Sequence, residues 1–142
     1  MMSQPSRSTR ARHEALAPPF RECVDDFAQH LASVENRSTH TVRAYVADVV
    51  SLLDHAARMG CAEPRDLDIT VLRSWLAKLR TFGAARASLA RRAASARTFT
   101  GWAHRSGLLD TDVGAQLASP RAHREQPAVP DRTGERTGDR AR

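Results

Sequence analysis

The sequence predicts an all-α fold, on three observations. Apolar residues recur at steps of three and four in four separate stretches, the spacing of one face of a helix. No stretch alternates with a period of two, as a half-buried strand would. Glycines stand just past the end of three of those stretches, at Gly60, Gly83 and Gly107, where a left-handed residue closes a helix. The expected architecture is a small bundle of four main helices plus a short fifth, with short connections and disordered ends.

Residues 1–19 are rich in Ser, Arg, Ala and Pro without an apolar period, so they read as a disordered arm. Pro18 and Pro19 close it at a helix start, a position that proline tolerates. The first main helix is predicted over 20–34. Phe20, Val24, Phe27, Leu31 and Val34 form one stripe, and Glu22, Asp25 and Asp26 lie in the early turns, where the helix dipole favours acids. Asn36 and Arg37 make the turn.

The second main helix is predicted over 39–59, with Ser38 as its N-cap. Val42, Tyr45, Val46, Val49, Leu52, Leu53 and Ala56 form its inward face. A loop containing Pro64 follows. The third helix is predicted over 70–81, with Leu72, Trp75, Leu76 and Leu79 inward and Arg73, Lys78 and Arg80 solvated. The fourth runs over 86–106 as one long stretch, RASLARRAASARTFTGWAHRS. Leu89, Ala93, Ala96, Phe99, Trp102 and Ala103 share one face of it. Leu108 and Leu109 fold back on the core, and a short helix over 111–117 is stopped by Pro120. Residues 121–142 carry a DRTGER–TGDR repeat with little to bury and read as a disordered tail. The domain therefore spans 20–120. Hydrophobic residues make up 41% of the chain. Alanine supplies much of that share, so the core is thin.

Charge is unevenly placed. The chain carries net +6 over 142 residues. Residues 86–124 hold seven Arg against Asp110 and Asp112, net +5, while residues 20–85 sum to −1 and residues 125–142 to zero. A polyanionic partner follows, nucleic acid ahead of membrane. No apolar run approaches the roughly 20 residues of a membrane span, and the N-terminal arginines precede no apolar core of a secretory signal. Cys23 and Cys61 have no metal-ligand spacing and read as reduced thiols of a cytosolic protein. No Gly-rich phosphate loop, nucleophile signature or paired-carboxylate motif is present, and no cofactor is implied.

The candidate site is a nucleic-acid surface on two helix segments. Thr39, His40, Thr41 and Arg43 form a polar, basic cluster at a helix N-terminus, an end whose free N–H groups and dipole suit a phosphate. Arg86, Ser88, Arg91, Arg92 and Arg97 lie on the fourth helix. A helix fits the major groove of double-stranded DNA, and Arg with Ser or Thr commonly contact phosphates and base edges. The competing reading is an ordinary solvated basic face. His40 with Arg43, and His55 with Arg58, are spaced H-x-x-R and share a helix side.

These residues resemble a family. Ser38-x-x-Thr41-x-x-x-Tyr45-x-x-Asp48, followed by Val49, Leu52 and Leu53, resembles the second helix of the N-terminal domain of Xer-type tyrosine recombinases. Ser88-Leu-Ala-Arg91-Arg92, then Ser95-Ala-Arg97-Thr98-Phe99 and Trp102, resembles that domain's fourth helix. Arg105-Ser-Gly107-Leu-Leu109 and Ser119-Pro120-Arg121 resemble its exit toward the linker. The resemblance covers about residues 20–124.

It implies a SAM-like core-binding domain that clamps one face of DNA during site-specific recombination, integration or chromosome partition, in the cytoplasm. In that family a separate C-terminal domain carries the chemistry. Here Tyr45 matches a core position of the second helix, the single lysine is Lys78, and neither H-x-x-R pair falls in the catalytic motif. No catalytic residue is implied, and the expectation is a truncated copy that is not an enzyme alone. The sequence departs from the family at Ala93 and Ala96, where larger apolar residues are usual, and at Thr100, Gly101 and Val113. The alternative function is a protein-interaction module that pairs with a full-length tyrosine recombinase protomer without productive DNA binding. The basic bias of residues 86–124 favours DNA.

Overall fold

The computed structural model describes residues 8–117. It is all-helical, and no strand occurs among the described residues. Helices α1 (Thr9–Ala15), α2 (Pro18–Gln29), α3 (Thr39–Arg58), α4 (Ile69–Thr81) and α5 (Arg86–Arg105) follow in order. The four main helices of the sequence reading are α2 to α5. The tail over 121–142 lies outside the described residues.

The N-terminal arm is corrected in part. Residues 9–15 are helical, and the Ser8 hydroxyl accepts the Ala11 N–H at 3.1 Å as an N-cap. Leu16 behind this helix is buried, and Arg21 of α2 donates to its carbonyl at 2.9 Å. One buried leucine gives no period to read, which is why composition alone suggested disorder. Residues 1–7 lie outside the described residues.

The stripe of α2 buries Phe20, Val24, Phe27 and Leu31 as expected, but Val34 is 72% exposed. The helix widens into a π turn over His30–Val34, with the Glu35 N–H bonded to the His30 carbonyl at 3.1 Å. The extra residue in that turn carries Val34 off the stripe. Asn36 then takes φ of 54°, a conformation its short amide side chain tolerates.

Helix α3 starts where Ser38 caps it and ends at Arg58, ahead of Gly60 with φ of 100°. It crosses the core and packs against α2, α4 and α5. Helix α4 is capped by Asp68, which accepts the Val71 N–H at 3.0 Å. Trp75 is buried and donates its indole N–H to the Ser51 hydroxyl of α3 at 3.0 Å. Phe27 joins α2 to α5, with its ring 5.2 Å from Phe99 and 5.3 Å from Trp102. Leu109 is buried and Leu108 half-buried, so the chain folds back after Gly107.

The short fifth helix is present but begins later than 111. Residues 111–114 form a bend and a turn, and only 115–117 are helical within the described residues. The cause is Gly114, whose N–H is held by the buried Thr100 hydroxyl at 3.0 Å. That bond fixes the segment flat on α5 before a helix can begin.

Candidate nucleic-acid interface

The first turn of α3 presents free N–H groups and no acidic side chain. Ser38 accepts the Thr41 N–H at 3.1 Å and donates its own hydroxyl to Thr41 Oγ1 at 3.0 Å. That leaves the Thr41 hydroxyl hydrogen available to donate outward. Thr39, His40 and Arg43 are exposed around it.

Helix α5 passes beside this turn. His40, Thr41, Ala44 and Tyr45 from α3 face Arg91, Ala94 and Ser95 from α5 across a groove of about 230 Å³. Three sequence-predicted residues, His40, Thr41 and Arg91, thus line one concavity. Thr39 and Arg43 share the exposed first turn of α3. Ser88 lies within about 20° of Ser95 around α5, at roughly 100° per residue, and so shares the flank that faces α3.

Two predicted residues do not join them. Arg97 lies about 160° around the helix from Ser95, and Arg86 falls within about 20° of Arg97. That flank is covered in part by the exit segment, because a Cβ on Gly114 would come to 2.9 Å from Arg97 Cα. The fourth helix therefore carries positive charge on two sides, and only one of them faces the α3 turn.

Sequence reasoning missed the acid that lies behind the groove's Arg91 and Ser95. Asp48 of α3 is buried, and its carboxylate is shared by three groups of α5. Ser95 donates to Oδ2 at 2.6 Å, Arg91 Nη1 donates to Oδ2 at 2.9 Å, and Arg92 Nε lies 4.0 Å from Oδ1. The last distance is a charge contact and too long for a hydrogen bond. The Arg92 side chain is 27% exposed, against 48% for Arg91. The signal was available. An aspartate one turn after Tyr45 and one before Leu52 sits on an apolar stripe, and a carboxylate there needs a cation.

Tyr45 is also corrected. It was expected to be buried and is half-buried, with one side on Phe27 at 6.3 Å and another on the groove. Arg37 stands over its ring at 5.5 Å and bonds Glu35 at 3.1 Å, while His30 reaches the other Glu35 oxygen at 3.0 Å. The His30 hydrogen bond and the Arg37 partner hold the Glu35 carboxyl below its usual range.

The H-x-x-R pair on the last turns of α3 serves other partners. His55 Nε2 pairs with the Ser74 hydroxyl at 2.9 Å and Arg58 with Asp54 at 3.3 Å. Burial pushes the Cys23 thiol up to about 12, with Asp26 adding to the shift, so it is no nucleophile near neutral pH. Among the described residues no group of His, Cys, Asp or Glu is arranged to hold a metal ion. No helix there is long and apolar enough to cross a membrane.

Among the described residues, five helices with a groove between the open N-terminus of α3 and the arginine-rich α5 make up a small all-helical domain. Residues 24–107 match the phage integrase, N-terminal SAM-like domain family, and the chain belongs to it. The tyrosine recombinase XerC of Mycobacterium leprae (strain TN) is 47% identical over 106 residues, covering 75% of this chain and 35% of that protein. The tyrosine recombinase XerC of Mycobacterium tuberculosis (strain CDC 1551 / Oshkosh) is 46% identical over 106 residues, with the same coverage. That of Mycobacterium sp. (strain KMS) is 43% identical over 107 residues, 75% of this chain and 36% of its own. The chain thus spans about a third of the length of the curated relatives it matches. No solved structure matches it.

Proposed function

We propose that these residues bind double-stranded DNA as the core-binding part of a tyrosine recombinase, in site-specific recombination of the kind the XerC relatives are named for. The observation that carries this reading is the groove. It joins the open N-terminus of α3, with His40 and Thr41, to Arg91 of α5 on one surface. Free N–H groups, a hydroxyl, an imidazole and a guanidinium are phosphate and base-edge donors. The same residues supply no nucleophile, so on their own they position DNA and do not cut it. The setting is the cytoplasm.

Salt-titrated binding to a labelled duplex tests the reading. Each phosphate contact adds about −0.9 to the slope of log affinity against log salt. Replacing Arg91, Arg92 and Arg97 together by Ala should weaken binding and flatten the slope. The flattening should fall short of three such contacts, because Asp48 already engages Arg91 and Arg92. Replacing Arg132, Arg136 and Arg140 should do much less. If the wild-type chain shows no salt-dependent binding, the reading fails. The second reading, a module that pairs with a full-length recombinase protomer, then takes over. It is favoured by Phe82 and Val34, which are 76% and 72% exposed.

A further inference from the structure

We propose that Asp48 is a positioning residue for DNA recognition: it anchors Arg91 from below so that the guanidinium stands pre-ordered at the groove. The inference rests on the DNA-binding reading above and says which buried group prepares that surface.

The observation is an asymmetric ion pair. The pair ties α3 to α5, and its two ends lie in different surroundings. Here the Asp48 side chain is 3% exposed and that of Arg91 is 48% exposed. The acid belongs to the core and the base to the surface. Both short bonds converge on one oxygen, Oδ2, from Ser95 at 2.6 Å and Arg91 Nη1 at 2.9 Å. Ser95 thereby fixes the carboxylate, and the carboxylate fixes the arginine.

A guanidinium carries five N–H donors in a rigid fork. One of them is given to Asp48, which leaves others to meet a phosphate or base edge beside His40 and Thr41. An arginine held in place before DNA arrives loses less freedom on binding than a free one. Asp48 also subtracts charge. Counting along the sequence credits the α5 arginines in full, although an acid from another helix offsets part of them.

The experiment is a double-mutant cycle on duplex binding with Asp48→Asn and Arg91→Ala, singly and together, at several salt concentrations. Thermal melts in the same buffers give the folded fraction. The proposal expects Asp48→Asn to weaken binding, and only while Arg91 is present, so the double variant binds like Arg91→Ala alone, with a coupling of roughly threefold or more; tighter binding by Asp48→Asn overturns it. If the two effects simply multiply, Asp48 acts through stability or general charge and the proposal is overturned.

Arg91→Lys decides the matter if Asp48→Asn does not fold. It keeps the charge and loses the fork, so it should weaken binding without changing the salt slope. Wild-type binding by Arg91→Lys overturns the proposal. If Arg91→Ala binds normally while Arg43→Ala is weakened, Asp48 has no such role and the DNA reading stands. If the wild-type chain does not bind a duplex, the DNA reading itself falls.

Discussion

Gly114 donates its backbone N–H to the Thr100 hydroxyl at 3.0 Å, and Thr100 donates in turn to Asp112 Oδ1 at 3.2 Å. This pair docks the exit segment onto α5. Thr100 is completely buried, at one of the positions where the sequence departs from the family.

The contact leaves no room for a side chain on Gly114. A Cβ would lie 2.9 Å from Arg97 Cα, a backbone atom that cannot rotate away, and would collide with the Thr100 hydroxyl. Gly114→Ala should therefore destabilise the domain by about 1–3 kcal/mol, the usual cost of overpacking. Urea denaturation checks this. An unchanged midpoint would mean that the segment is not docked.

The N-cap of α3 bears on stability and, under the proposed DNA binding, on the interface as well. Ser38→Ala removes the acceptor for the Thr41 N–H and should cost about 1 kcal/mol. It should also loosen the turn that carries Thr39, His40, Thr41 and Arg43. Duplex affinity is then expected to drop by more than the loss of folded fraction explains, which paired melting and anisotropy measurements can separate.

Stability should fall on mild acidification because of His55. Burial, with help from Lys78 and Arg58, lowers its pKa below the ordinary 6.5. Below that value the unfolded chain takes up a proton that the folded chain resists, so folding weakens as pH drops from 6.5 toward the folded pKa and then levels off. Urea melts of wild type and His55→Gln between pH 7 and 5 isolate the effect. Equal slopes for both proteins would assign the pH dependence elsewhere.

No covalent adduct should form between these residues and a nicked recombination site. The only tyrosine, Tyr45, packs on Phe27 under Arg37 and shares its groove with His40 and Arg91, while the only lysine, Lys78, lies on α4 and lines no part of that groove. Denaturing gel electrophoresis with labelled DNA is the check. An adduct that vanishes in Tyr45→Phe would overturn the assignment.

The sequence by itself determined the helices and most of the core. Periodicity is a property of neighbouring residues, so Phe20, Leu53, Trp75 and Phe99 could be placed inward, and Ser38, Gly60, Gly83 and Gly107 could be placed at helix ends, without knowing the fold. The resemblance carried by Ser38 to Asp48 and Ser88 to Trp102 supplied the family. What tertiary structure decided were relationships between distant residues. Leu16 is buried by neighbours that its own segment does not announce, and Val34 is exposed because a π turn shifts the phase. Arg91 and Arg97, six residues apart on one helix, face different surroundings. Asp48 meets Arg91 and Ser95 across more than forty positions. A buried carboxylate reports that it needs a cation, but only the crossing of α3 with α5 says which arginine supplies it, since charge pairing depends on distance in space.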